Sequence, residues 1–283
     1  MDFLAFLVDG LLLGFVYGVA AMGMTLIWGV MKVINLSHNV LIAYSMFAVY
    51  LLFGLGINPY LAIILAAMLG LVLGIIIYVV ALHRVIDAPQ LSTLLATFAV
   101  SMILTGVGTA VWTTSMHNVQ FSLRSLSLGS ITVPGTRLVA ALVASLVTAS
   151  LYLFLYRTRP GRYIRAVTNN RAAAEMVGVP SNQMLALSFG LGAMLAAIAG
   201  GLIATFFPFT ILSGMNYQLK SFVIGVLGGL GNPIGALVGG LILGVLEGVI
   251  PIFTETSWVP VFEFGLFVLI IIFRPSGLLG AKE

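Results

Sequence analysis

Long apolar runs that carry almost no charge set the first limit on what this chain can fold into. A helix needs roughly 20 mostly apolar residues to cross the hydrocarbon core of a bilayer. Such runs recur along the whole of the 283 residues. Read between polar breaks, they predict helices near 7–30, 40–56, 60–82, 91–114, 138–156, 183–207, 234–250 and 261–273. Only 7% of the residues are charged, against about 25% in soluble domains, so little remains to build a soluble unit. The fold class is all-α, a polytopic transmembrane helical bundle of about eight spans, in a single domain over residues 1–283.

One further apolar run, Ser221–Leu230, is too brief to span comfortably. Gly225, Gly228, Gly229 and Gly231 mark it as a broken or re-entrant segment, which survives at membrane depth only when buried in protein. The first ten residues hold Asp2 and Asp9 but no Lys or Arg, which is not the pattern of a secretory leader. The chain has no cysteine, which excludes disulfides, thiolate metal sites and Cys nucleophiles.

The net charge of +4 is no nucleic-acid footprint, because the basic residues are gathered for a topological reason. Lys and Arg collect on the cytoplasmic side of membrane proteins. Arg157, Arg159, Arg162, Arg165 and Arg171 crowd the longest polar loop, residues 157–182, which is therefore placed in the cytoplasm. Counting spans backwards puts Lys32 and Arg84 inside and the N-terminus outside. The tail with Arg274 and Lys282 also belongs inside, which requires Ser221–Leu230 to cross or nearly cross. Arg124, Arg137 and Lys220 are then left outside.

Small residues let helices approach closely in lipid. Gly10, Gly14 and Gly18 recur at every fourth position, as do Gly240, Gly244 and Gly248, and Gly70 with Gly74. They read first as helix contacts and second as the lining of a path. Thr93, Thr97, Ser101, Thr105 and Thr109 stand four residues apart on one helix. This stripe is either a set of hydroxyls bonded back to their own helix or a polar wall beside a path. Intramembrane charge is costly and usually faces a bundle interior. Glu247 therefore touches substrate, bonds a neighbouring helix, or sits at the outer interface. Asn35, Ser37, His38 and Asn39 form a polar knot between two apolar stretches. His38 there either satisfies backbone at a helix break or serves as a relay or ligand contact. Candidates for a substrate path are Asn35, Ser37, His38, Thr97, Ser101 and Glu247.

Catalytic and metal motifs are missing: no phosphate loop, no G-x-S-x-G elbow, no H-E-x-x-H. Any ATP used must be hydrolysed on another chain. In the basic loop, Pro160–Gly161 and Gly178 with Pro180 bound a short amphipathic helix. It is either a solvated basic loop or a knob that docks on another protein.

The run P-G-R-Y-I-R-A-V-T-N-N-R-A-A-A-E-M-V-G-V in that loop resembles the coupling loop of LivH/LivM-type permeases of ATP-binding cassette importers. Gly23–Asn39 (G-M-T-L-I-W-G-V-M-K-V-I-N-L-S-H-N) looks like that family's first-helix signature. Val226–Glu247 resembles its glycine-rich penultimate motif, and Arg274–Gly280 (R-P-S-G-L-L-G) its tail. The four segments occur in family order, and the chain is closer to the LivH-like partner. One departure is Ser37–His38–Asn39, where the family commonly has Ala-His-Gly.

The resemblance implies a permease subunit, not an enzyme, in a bacterial or archaeal cytoplasmic (inner) membrane. It implies a LivM-like second permease, two cytoplasmic ATPase subunits that carry the ATP and Mg, and an extracytoplasmic solute-binding protein. The substrate would be an amino acid, foremost a branched-chain one, with urea or short amides as the alternative. Gly161, Arg162, Arg165, Ala166, Asn169, Ala173, Glu175 and Gly178 would make the ATPase contact. An ATP-independent secondary transporter and a non-transporting scaffold or membrane enzyme are the rival classes.

Overall fold

A computed structural model describes residues 2–128 and 131–280; Lys282, expected inside, lies outside them. The long apolar helices are α1 (Asp2–Met31), α2 (His38–Gly54), α3 (Pro59–Ile77), α4 (Gln90–Trp112) and α5 (Gly135–Arg157). A π-helical turn, Tyr78–Leu82, prolongs α3. A small hairpin of β1 (Leu126–Leu128) and β2 (Ile131–Val133), with Leu126 opposite Val133, precedes α5. Then follow α6 (Arg159–Asn169), α7 (Arg171–Met176), α8 (Ser181–Ala204), α9 (Ser213–Gly228), α10 (Pro233–Phe253) and α11 (Val259–Phe273).

All eight expected spans appear as helices. Seven are long and apolar enough to cross a membrane, while α2 has 17 residues and α9 has 16. The glycine-rich segment is longer than its apolar part suggested. It begins at Ser213, and its first half carries Asn216, Gln218 and Lys220, which hide it from a hydropathy reading.

One end of the bundle gathers Met31, the 83–89 turn, α6 and α7, the Gly229–Asn232 turn and the tail. Arg171 reaches Asp87 at 2.6 Å there, and the Asn232 side chain donates to Leu279 O at 2.8 Å. The opposite end holds the hairpin, the Arg137–Asp9 ion pair and the backbone pairing of His117 with Phe209.

The helices repeat an arrangement in inverted form. α1 packs along α10 as α8 packs along α3; α2 lies on α8 as α9 lies on α1; α4 flanks α2 as α11 flanks α9. The sequence echoes this at one place. Gly54-Leu55-Gly56-Ile57-Asn58-Pro59 joins α2 to α3, and Gly229-Leu230-Gly231-Asn232-Pro233 joins α9 to α10. Gly56 and Gly231 both take positive φ, 83° and 89°. Asn58 and Asn232 then cap the next helix through their side chains, with Pro in its first turn. These two turns sit at opposite ends of the bundle.

Close backbone approach holds both halves. A Cβ on Gly14 would lie 2.7 Å from Gly240 O and 2.8 Å from Leu241 Cα. On the other side Gly190 faces Leu71 and Ile75 of α3, and Gly70 faces Ala193 and Ala197 of α8. The recurrent glycines therefore stand against helix backbone and small side chains. Gly14→Leu must push α1 off α10, at about 1–3 kcal/mol or more; it is expected to lower the melting temperature and membrane yield of the protein. Gly106→Leu, where nothing lies within 4 Å, is expected to leave both unchanged in the same fluorescence size-exclusion assay.

Candidate functional site

The connection from α1 to α2 does not stay at the membrane surface. Lys32 turns the chain through φ 56°, and residues 33–36 run back along the bundle. His38, the first residue of α2, meets Ala20 O through Nε2 at 3.0 Å. Ala20 stands about 16 Å above Met31 along the helix axis (1.5 Å per residue). The break is thus non-helical backbone deep in the membrane, where each polar group needs a partner inside the protein.

The partners are side chains. Thr97 Oγ1 accepts the Leu36 N–H at 3.2 Å and lies 3.2 Å from Ile34 O. Asn35 Oδ1 accepts both the Ser37 N–H at 3.0 Å and the Ser37 hydroxyl at 2.6 Å. Ser101 donates to Asn39 Oδ1 at 2.9 Å. The hydroxyl stripe of α4 is therefore divided. Thr97 and Ser101 reach across to the break, Thr97 also lying 3.0 Å from Leu94 O of its own helix, while Thr93 and Thr109 bond only carbonyls of their own helix.

A second segment enters from the other end. After α8, residues 205–212 fold back, and α9 starts beside the start of α2. Gly214 touches Asn39 O so closely that no Cβ fits, and Gln218 Oε1 accepts the Asn39 N–H at 2.9 Å. The beginnings of α2 and α9 thus face one another within the bundle. Neither first turn contains an acidic residue, and neither N-cap side chain bonds the helix. Helix N-termini carry partial positive charge, so two positive ends converge at this depth.

Two buried polar atoms there have no partner among the described residues: Asn35 Nδ2 and His38 Nδ1. The Asn35 carboxamide lies across the start of α2, so its free N–H group sits at that helix end. His38 Nε2 faces a carbonyl and therefore carries the ring proton, which leaves Nδ1 an acceptor in the neutral ring. One unmet donor and one unmet acceptor thus lie within four residues of chain. Asn39 is half-buried and its neighbours Met215 and Asn216 are exposed, so the place borders the outer face of the chain.

Glu247 belongs elsewhere. Lys220 Nζ reaches Glu247 Oε2 at 2.5 Å and Glu263 Oε1 at 3.3 Å. Tyr17 donates to Glu247 Oε1 at 3.3 Å, and its ring lies 4.9 Å from the Lys220 ammonium. The cluster ties α1, α9, α10 and α11 together. Lys220, expected in an outer loop, is instead inside α9, because its charge is met by two carboxylates from neighbouring helices. The sequence offered Glu247 without its partner.

The basic loop forms two helices rather than one. Thr158 caps α6 by accepting the Gly161 N–H at 3.1 Å. Asn170 breaks the helix with extended backbone and caps α7, accepting the Ala173 N–H at 3.0 Å. Gly161 lets α6 cross α5 closely, since a Cβ would lie 2.6 Å from Leu155 Cα. Arg171 braces the loop through Asp87, Glu175 at 3.0 Å and Asn182 at 3.3 Å. Burial works against its charge, but the Glu175 and Asp87 carboxylates outweigh it and raise its pKa.

Among the expected contact residues, Arg162, Asn169, Ala173, Glu175 and Gly178 are exposed, Gly161 is buried, and Arg165 and Ala166 are half-buried. Arg165 folds back, donating from Nε to Leu155 O at 3.1 Å and lying 4.3 Å over the Tyr156 ring. Sequence reading missed Met176 and Val177, which are 83% and 79% exposed at the tip. Their signal is two apolar residues set between polar ones in an otherwise basic loop.

Comparison with known proteins gives a family and relatives. Residues 6–271 match the family described as branched-chain amino acid transport system / permease component. The LivH permease protein of Salmonella typhimurium is 28% identical, over 99% of this chain and 96% of its own. The BraD permease protein of Pseudomonas aeruginosa is 30% identical, over 98% and 95%. Both are named as high-affinity branched-chain amino acid transport permeases. Among solved structures, PsaBC from Streptococcus pneumoniae aligns over 96% of this chain and 92% of its own, with TM-score 0.52 and 14% identity. That likeness is one of fold.

Thr97 accepts the Leu36 N–H, so Thr97→Val, which keeps the volume, leaves that buried group unpaired. The expected loss is about 1–3 kcal/mol for a buried group left unmet, read as a lower melting temperature. Thr109→Val, which removes only a bond to its own helix, is expected to cost far less.

Proposed function

We propose, from the premise that this chain belongs to the family of branched-chain amino acid transport permease components, that it moves amino acids across the cytoplasmic membrane through the facing ends of α2 and α9. Leucine, isoleucine and valine are the expected substrates. The observation that carries the reading is the pair of unmet groups at the start of α2. A zwitterionic amino acid offers a carboxylate to the Asn35 N–H and to the positive helix ends, and an ammonium to His38 Nδ1. Broken membrane helices recurrently aim the positive ends of their half-helices at a substrate carboxylate; here the ends act through their dipoles, since the Asn39 and Val40 N–H groups are taken by Gln218 and by Asn39 Oδ1. Ser37, Thr97 and Ser101 hold the break in shape, with Gln218 on the facing helix. Glu247 takes part through Lys220, by fixing α9 against α10.

The chain works with a second, LivM-like permease, two ATPase subunits that bind ATP and Mg, and an extracytoplasmic binding protein. Asn39 and Asn216, with Met215 beside them, turn toward the second permease, which spares the two carboxamides from lipid. The basic end is cytoplasmic. Lys32, Arg84, Arg274 and five arginines of the loop gather there, against Arg124 and Arg137 at the other end, in keeping with the positive-inside bias. The N-terminus is then outside and the C-terminus inside. Arg162, Tyr163, Asn169, Ala173, Met176 and Val177 form the face that meets the ATPase. Gly161 and Gly178 set its shape, Glu175 is exposed beside it on Arg171, and Arg165 and Ala166 support it from beneath.

The membrane-embedded charges of α9, α10 and α11 are engaged with one another, which leaves little for an ion-coupled, ATP-independent cycle. Asn35→Leu in the assembled transporter is expected to lower the maximal uptake rate at least tenfold, about 1.4 kcal/mol, while binding-protein affinity for substrate stays as it was. Unchanged uptake at normal expression would remove the substrate role. Arg162→Glu, and Arg165→Glu beside it, are expected to let ATP hydrolysis run without uptake in proteoliposomes. Wild-type coupling in both variants would move the docking face elsewhere. Since the chain lacks cysteine, Met176→Cys and Ser115→Cys report its sidedness to impermeant maleimide.

A further inference from the structure

A crevice of about 330 Å³ opens where α5 stands away from α10 across the face of α1. Its wall is apolar, from Met22 and Leu26 of α1 to Leu151 of α5 and Ile164 of α6. That wall climbs to Met22, about 13 Å above Met31 along the axis. Its rim is polar and lies at the basic end, with Tyr152, Tyr156, Arg165 and Asn232. Among the described residues no acidic one lines it. The crevice is amphiphilic along the membrane normal, in the same sense as the inner leaflet.

The rim is built to hold an anion. Arg165 is fixed by Leu155 O and the Tyr156 ring, and its two terminal nitrogens have no partner among the described residues. Tyr152 and Tyr156 stack at 4.4 Å and are 46% and 45% exposed. Their hydroxyls make no hydrogen bond within the described residues. Tyrosines of this kind sit at the headgroup level of membranes. Arg157, Arg159 and Arg162 add positive charge on the same loop, and basic clusters at this surface draw anionic lipid.

We propose that this crevice seats one anionic phospholipid of the cytoplasmic leaflet. Its phosphate pairs with Arg165 and the tyrosine hydroxyls, and the glycerol and first methylenes lie on the wall of α1 and α5. The volume suits that part of a lipid, with the tails running outward over α5. A soluble phosphate would leave the apolar wall bare, which is why the occupant is a lipid. The lipid would wedge α6 against α5 and stiffen the helix that the proposed function gives to ATPase docking. It is a site apart from the substrate path, and its occupancy is read independently of uptake.

The test uses the whole transporter, purified with its partner subunits and placed in nanodiscs of phosphatidylcholine with or without phosphatidylglycerol. Native mass spectrometry after release is expected to show one phosphatidylglycerol held per copy of this chain. Arg165→Gln is expected to lose it, as is Thr148→Trp, which fills the wall and leaves the arginine in place. Arg84→Gln, at the same end but away from the crevice, is expected to keep it. Retention of lipid in both Arg165→Gln and Thr148→Trp overturns the proposal. So does equal retention of phosphatidylcholine, or displacement by glycerol phosphate in solution. Disulfide trapping of Tyr152→Cys onto the second permease would assign the crevice to a protein neighbour and overturn it as well.

Discussion

Backbone exposed at membrane depth has no water to bond, and the organisation of this protein turns on how that need is met around residues 32–39. A span made of helix alone would satisfy itself. This one gives up about 16 Å of its crossing to extended chain and must borrow donors and acceptors from α4 and α9. Thr97, Ser101 and Gln218 therefore hold positions that packing alone would not demand. In return, polar side chains and helix ends are brought to a depth that a continuous helix would line with apolar groups.

That loan is affordable because the rest of the bundle is tightly held. Glycine faces on α1 and α10, and glycine and alanine faces on α3 and α8, bring backbones into contact on both sides of the breaks. Dispersion between close backbones drives association in lipid, where no hydrophobic force acts between helices. The inverted repeat gives each broken segment one such rigid pair: α1 and α10 beside α9, α8 and α3 beside α2. The asymmetry lies outside the repeat, in α5, α6 and α7, and that is where the basic loop is found.

Much of this was legible in the sequence for plain physical reasons. Hydropathy marks eight of the spans because lipid tolerates few alternatives. The polar knot at Asn35–Asn39 announced a break, and four ordered motifs announced the family. What stayed hidden was relational. The first half of α9 looks like a loop because Asn216, Gln218 and Lys220 are polar; Asn39 accounts for Gln218, and Glu247 with Glu263 for Lys220. The inverted repeat leaves a single short echo, G-L-G with N-P, because halves of opposite direction meet different surroundings. Arg165 reads as one more loop arginine until the Tyr156 ring beneath it is seen. Asn170 reads as helix until its side chain is found capping α7.

The Arg171–Asp87 contact has a mechanical side. Asp87 lies in the turn that leads into α4, three residues before Gln90, and Thr97 follows two turns up that helix. α4 is held only lightly by its neighbours, chiefly α2 and the π-helical turn. One ion pair, the turn 87–89 and about 10 Å of helix therefore separate α7 from the hydroxyl that accepts the Leu36 N–H. The loop and the break, though far apart in sequence, are joined by a short path of contacts.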